Sequence, residues 1–344
     1  MGDRELFELH PSSTTAASAV PVVDTGPLGA AAERVAWGRR LAFGAVYLIW
    51  GSTYLGIRIA VESIPPFLLA GSRSLVAGGL LFLWLRLRGA RQPTLTEWRR
   101  ASLAGVAMLA GGNGLVTWAE TGVPSNLAAL MLAGVPTYIV LMDWWRTGGV
   151  RPSRQAFVGV LLGVLGMGLL VKPDPDALVQ THWLGVVALV LAGLCWAFGS
   201  LYSRYQTLYP NAAVSGAQQM IAGGAAMLLV AIGRGELAEL SVADVSGRSF
   251  ACFCYLTVFG SMLAFSAFNW LVGQTTPARL STTAYVNPVV AVILGWLVLG
   301  ESLNPISLVG AALIICAVVV MVARFHTPQK PSHHVRPPPL DSPR

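Results

Sequence analysis

Residues 41–61, LAFGAVYLIWGSTYLGIRIAV, and residues 183–205, WLGVVALVLAGLCWAFGSLYSRY, decide the fold, because each is a long apolar run and the second repeats landmarks of the first. Trp50 is followed eight residues later by Arg58, and Trp196 eight later by Arg204. As a helix rising about 1.5 Å per residue, either run crosses the roughly 30 Å hydrocarbon layer of a bilayer. Neither has the period-2 alternation of a barrel strand. Lipid offers backbone groups no partner, so each run must satisfy its own hydrogen bonds as a helix.

Outward from these two, similar runs occupy 67–87, 101–119, 124–145, 155–172, 212–232, 249–272, 277–299 and 304–323. With 54% hydrophobic and 11% charged residues and a mean hydropathy of +0.62, too little polar surface remains to cover a soluble fold. Val76-Ala77-Gly78-Gly79 is answered by Ile221-Ala222-Gly223-Gly224, and Pro124 and Pro136 by Pro277 and Pro288, in one order. The sequence thus predicts an all-α integral membrane protein of ten transmembrane helices in two five-helix repeats, 41–172 and 183–323. A flexible tail at 1–40 and a Pro-rich tail at 324–344 flank them. Five is odd, so the second repeat enters the membrane from the opposite side and the two are inverted, which supplies two alternative packings for alternating access.

The net charge of +7 reports topology rather than nucleic acid. With the N-terminus cytoplasmic, eighteen Lys and Arg fall inside and three outside, namely Lys172, Arg234 and Arg248. That bias places both termini in the cytoplasm of a multi-pass protein of the cell membrane. The histidines, His10, His182, His326, His333 and His334, all lie in tails or a loop. Cys195, Cys252, Cys254 and Cys316 lie in apolar runs, and Cys252 and Cys254 are too close in sequence to share a helix face. No metal, cofactor or disulfide framework is expected, and no glycine-rich GxxxxGK loop is present to bind ATP.

Polar residues inside membrane helices are costly, an arginine near the centre by about 2.5 to 3.5 kcal/mol, so the exceptions are the candidate cavity residues. Arg73 stands in helix 2, and its place in the second repeat is taken by Gln218. Two readings are open for Arg73: it meets an anionic group or a carboxylate partner, or it makes a structural ion pair or hydrogen bonds to carbonyls. Asn113, Thr117 and Glu120 share one face of helix 3, with Glu120 placed for proton coupling, for binding an ammonium group, or for marking the helix end. Ser266 and Asn269 share a face of helix 8, and Thr283 and Asn287 one of helix 9, just ahead of Pro288. Tyr47, Trp50 and Tyr54 form an aromatic stripe on helix 1, suited to stacking on a solute or to interhelical packing. Gly159, Gly163 and Gly166 form a small-residue face on helix 5 for a neighbouring helix.

The ordered set of YLIWGSTY (47–54), Pro65-Pro66 with Arg73, GNGLVTWAE (112–120) with Val123-Pro124-Ser125, WAFGS (196–200), FGS (259–261) and AYVNPVVAV (284–292) with Glu301 resembles the EamA branch of the drug/metabolite transporter superfamily. The resemblance covers 41–323. It implies a ten-helix secondary transporter, most simply an exporter of a small metabolite, amino acid or drug-like compound, coupled to a proton or other ion gradient. Import or exchange of a small anionic or polar metabolite is the alternative, and a membrane-embedded enzyme is disfavoured for want of a catalytic constellation. Ser74 departs from the family pattern, in which an aromatic often follows the arginine.

Overall fold

A computed structural model describes residues 27–119, 131–132, 134–149, 151–171, 183–299 and 305–322. The chain divides into two compact units, Met1–Gly38 and Arg39–Arg344, and the helices of the second build the site. The long helices are α1 (Pro27–Ala60), α2 (Pro66–Leu87), α3 (95–119), α4 (Val135–Trp145), α5 (Arg154–Val171), α6 (Trp183–Tyr205), α7 (Ala212–Gly233), α8 (Gly247–Gln274), α9 (Thr283–Leu299) and α10 (Pro305–Val322). No strand occurs among the described residues. The protein is an all-α membrane protein. Four of these helices, α2, α6, α7 and α8, are individually long and apolar enough to cross a bilayer.

Helix starts follow local chemistry. Pro65 precedes α2, which opens on Pro66, where the missing N–H costs nothing. At α3, Thr94 Oγ1 accepts from Glu97 N (3.2 Å) while Glu97 Oε2 accepts from Thr94 N (2.8 Å), a reciprocal cap that starts the helix ahead of its apolar stretch. Asn211 and Ser246 cap α7 and α8 through Ala213 N (2.9 Å) and Ser249 N (3.1 Å).

Two boundaries differ from the sequence expectation. α1 begins at Pro27, so residues 27–40, expected as flexible tail, are helical. Ala30, Ala31, Ala32 and Glu33 are strong helix formers, which favours helix over a flexible tail there. The run at 277–299 is broken into Pro277–Leu280 and α9. Ser281, Thr282 and Thr283 donate in turn to Ala278 O (2.8 Å), Arg279 O (2.7 Å) and Leu280 O (3.0 Å), competing with the helical ladder.

The repeat mates α2 and α7 cross antiparallel. A Cβ added at Gly71 would meet Leu228, at Gly224 it would meet Gly71 and Leu75, and at Gly78 it would lie 2.8 Å from Ala217 O. Numbers rise on one helix as they fall on the other, so the VAGG and IAGG stretches lie at the crossing itself. Small residues let the backbones meet there. The helix 5 face behaves similarly: Gly163 receives the Tyr285 ring, and Gly166 faces Gly310 and Ile314 of α10.

Candidate functional site

The centre is built on α1, α2, α6 and α8. Both α3 and α8, also repeat mates, carry a stretch of wide π-helical turns, Val106–Gly114 and Leu256–Phe265. An extra residue per turn rotates the faces on either side, and such turns recur at functional sites. At the end of each stretch a side chain returns to a carbonyl one turn back: Thr117 Oγ1 to Asn113 O (2.9 Å) and Asn269 Nδ2 to Phe265 O (3.0 Å).

Each π stretch meets the landmark tryptophan of the other repeat. Trp50 Nε1 donates to Gly260 O (3.2 Å), and a Cβ at Gly112 would lie 3.0 Å from Cε3 of Trp196. Trp50 and Trp196 meet edge-on with centroids 5.6 Å apart, and both pack on Phe268, at 5.1 and 5.6 Å. Arg73 enters the same region from α2. A Cβ at Gly260 would stand 3.1 Å from Thr53 Cγ2, a tight approach, and 3.7 Å from Arg73 Nη1, in ordinary contact with the guanidinium. Arg73 is 6% exposed and its Nε has no hydrogen-bond partner among the described residues. Gln218, its repeat mate, is 0% exposed with neither amide atom partnered among the described residues.

The other expected residues divide by location. Tyr47 donates to Thr282 Oγ1 (2.7 Å), whose own proton goes to Arg279 O, so Tyr47 braces the break before α9 next to Thr283. Asn287 is buried with Oδ1 unpartnered among the described residues, and its carbonyl would lie 3.0 Å from a Cβ at Gly51. Asn269 stands over Gly216 of α7, and the half-buried Ser266 hydroxyl has no partner among the described residues. Trp50 and Arg73 are thus brought together at Gly260, while Asn113 and Thr117 are tied to each other on α3. Tyr54 lies on α1 with its side chain outside those described; Glu120 and Glu301 lie outside the described residues. Trp196, Phe268 and Gly260 were not singled out as site residues from the sequence. Their signal was available in one case, since Trp196 is the repeat mate of Trp50.

Polar contacts tie the helices together at both ends of this region. At one end Arg204 donates to Val272 O (2.7 Å) and Thr275 O, and Tyr205 donates to Asp143 (2.6 Å), which also lies 3.7 Å from Arg146. A small recess between Ile139, Ser200, Leu201 and Leu280 opens beside Arg204. At the other end Leu68 N donates to Glu236 (2.8 Å), and Ser249 donates to Ile59 O (2.9 Å). The connection after α6 also docks on the one after α2, where Tyr209 donates to Arg91 O (3.1 Å). Arg91 in turn holds Glu97 in a two-pronged ion pair, and that guanidinium, with the Thr94 N–H, pushes the Glu97 carboxyl down to about 2.

The EamA-like transporter family model matches the chain twice, over residues 36–172 and 183–323. The chain is 39% identical over 292 residues to the "Uncharacterized inner membrane transporter YedA" of Escherichia coli (strain K12), covering 84% of this chain and 92% of that one. It is 26% identical over 277 residues to the "Probable terminal-alkyne amino-acid exporter" of Streptantibioticus cattleyicolor, covering 80% and 90% of the two chains. A solved crystal structure shares the fold with a TM-score of 0.69 at 20% identity, over 83% of this chain and 97% of that one.

Proposed function

The chain belongs to the EamA-like transporter family and is a multi-pass membrane transporter, and from that premise we propose that it exports a small metabolite, amino acid or drug-like compound by alternating access. The observation that carries this reading is the antiparallel crossing of α2 and α7 at Gly78 and Gly224. Equivalent helices crossing head to tail give the two halves interchangeable conformations, one open to each side of the membrane. The solute moves unchanged, and both termini lie in the cytoplasm, as the positive-inside bias supports.

In this reading the solute path is lined by Tyr47, Trp50, Tyr54, Arg73, Asn113, Thr117, Glu120, Ser266, Asn269, Thr283 and Asn287. The contacts of Arg204 and Tyr205 close its cytoplasmic end, and those of Glu236 and Ser249 the opposite end. Opening one set while the other holds moves the solute across. Glu120 takes up and releases the coupling proton.

Two experiments test the proposal. Untargeted metabolite profiling of medium and cytosol from overexpressing cells, against equally expressed Glu120→Gln, should show a compound enriched outside with the wild type alone. Uptake into inside-out but not right-side-out vesicles, abolished by collapsing the ion gradients, fits coupled export. The reverse orientation dependence would make the protein an importer, and insensitivity to the gradients would remove the coupling.

A further inference from the structure

Arg73 presents a problem that packing does not solve. Its guanidinium is buried in the membrane-spanning part of the bundle, with no ion pair or hydrogen bond to any described residue. Buried charges in proteins are paired, because an unpaired one keeps its full desolvation cost. A charge retained there without a partner among the described residues calls for a partner that comes and goes. Gln218, at the matching place in the other repeat, has the same unmet polarity without the charge. Arg73 lies between Gly71 and Leu75, which meet Gly224, and Gln218 follows Ala217, which meets Gly78, so both are placed along the α2–α7 contact between the repeats.

Resting on the transport reading above, we propose that Arg73 binds the carboxylate of the transported solute, a small monocarboxylate or zwitterion whose apolar body lies against Trp50. The guanidinium fork offers its free Nε and an adjacent Nη to the two oxygens of a planar carboxylate. A phosphate would draw on several cations or donors, whereas the groups that meet at Gly260 beside Arg73 are the Thr53 methyl and the Trp50 indole held on the Gly260 carbonyl. The Trp50, Trp196 and Phe268 rings supply the apolar wall, and aromatic walls with one placed polar group are the usual make-up of small-molecule sites.

The test uses the full chain in lipid nanodiscs, with phenylacetate and its neutral isostere phenylacetamide as probes and the thermal midpoint as readout. Phenylacetate is expected to raise the wild-type midpoint and phenylacetamide to leave it unchanged. Arg73→Gln should weaken phenylacetate at least about tenfold, with Arg73→Lys intermediate. Without probe, Arg73→Gln should unfold no earlier than wild type, because no hydrogen bond or ion pair to a described residue is lost. Equal stabilisation by the amide, undiminished binding by Arg73→Gln, or no binding of phenylacetate up to the millimolar range overturns the assignment. So does an unliganded midpoint that falls in Arg73→Gln and returns in Arg73→Lys, which marks a structural arginine. Acid binding without counterflow in liposomes keeps the site and removes the transport reading; counterflow of acids left intact in Arg73→Gln removes the site and keeps transport.

Discussion

Trp50 and Trp196, which occupy equivalent places in the two repeats, touch edge to face at the centre of the bundle with centroids 5.6 Å apart, and each rests on the π-helical stretch of the opposite repeat. The repeats are therefore fastened by a reciprocal exchange at their middle as well as by contacts at their ends. Trp50→Phe keeps most of the ring packing but leaves Gly260 O without its indole donor. A loss of about 1 kcal/mol is expected, read as a lower thermal midpoint in detergent. An unchanged midpoint would mean that the carbonyl finds another donor.

Adjacent glycines in the VAGG stretch should respond oppositely. A Cβ at Gly78 falls 2.8 Å from Ala217 O and 2.9 Å from Ile221 N, backbone atoms that cannot swing aside, whereas at Gly79 nothing lies within 4 Å. Gly78→Ala should destabilise by about 1 to 3 kcal/mol through overpacking, and Gly79→Ala should gain about 0.5 to 1 kcal/mol of helix propensity. Folded yield by fluorescence size-exclusion chromatography and the thermal midpoint check both. Equal effects would refute the close crossing of α2 and α7.

The Glu97 ion pair should make stability depend on acid. Its folded-state value of about 2 lies below the ordinary 4.5, so its contribution is present in full above pH 4.5 and is lost as the pH falls toward 2. Glu97→Gln should therefore be less stable than wild type at neutral pH, with the gap closing as the pH drops through that window. Thermal scans of the two proteins over a pH series measure it; a gap independent of pH would assign the loss to packing.

Tyr205 and Asp143 join α6 to α4 through a 2.6 Å hydrogen bond to a carboxylate. Such bonds are worth about 1.5 to 3 kcal/mol, so Tyr205→Phe should shift the equilibrium toward opening of that end by roughly tenfold or more. With Ser200→Cys as reporter in the recess beside Arg204, labelling by a membrane-impermeant maleimide should speed up correspondingly. No acceleration would mean that Arg204 holds this end without help.

The family, the helical class, the repeat and the isolation of Arg73 as a costly residue were legible in the residues, because hydropathy and charge act locally and leave their mark in linear order. The break at Ser281 and Thr282 was within reach too, as three consecutive hydroxyl residues that compete with the helix. The apolar pattern does not distinguish π from α turns in α3 and α8, since the distinction depends on what the neighbouring helices press into the turn. Whether Tyr47, Trp50 and Tyr54 act as a set was likewise beyond the stripe itself: Tyr47 is spent on Thr282 and Trp50 on Gly260, contacts made across more than 200 residues. The sequence alone determined which side chains are polar in an apolar span. Only the tertiary structure decided which of them are satisfied, because a hydrogen-bond partner from a distant helix is a matter of packing, and among the described residues packing left Arg73 Nε without one.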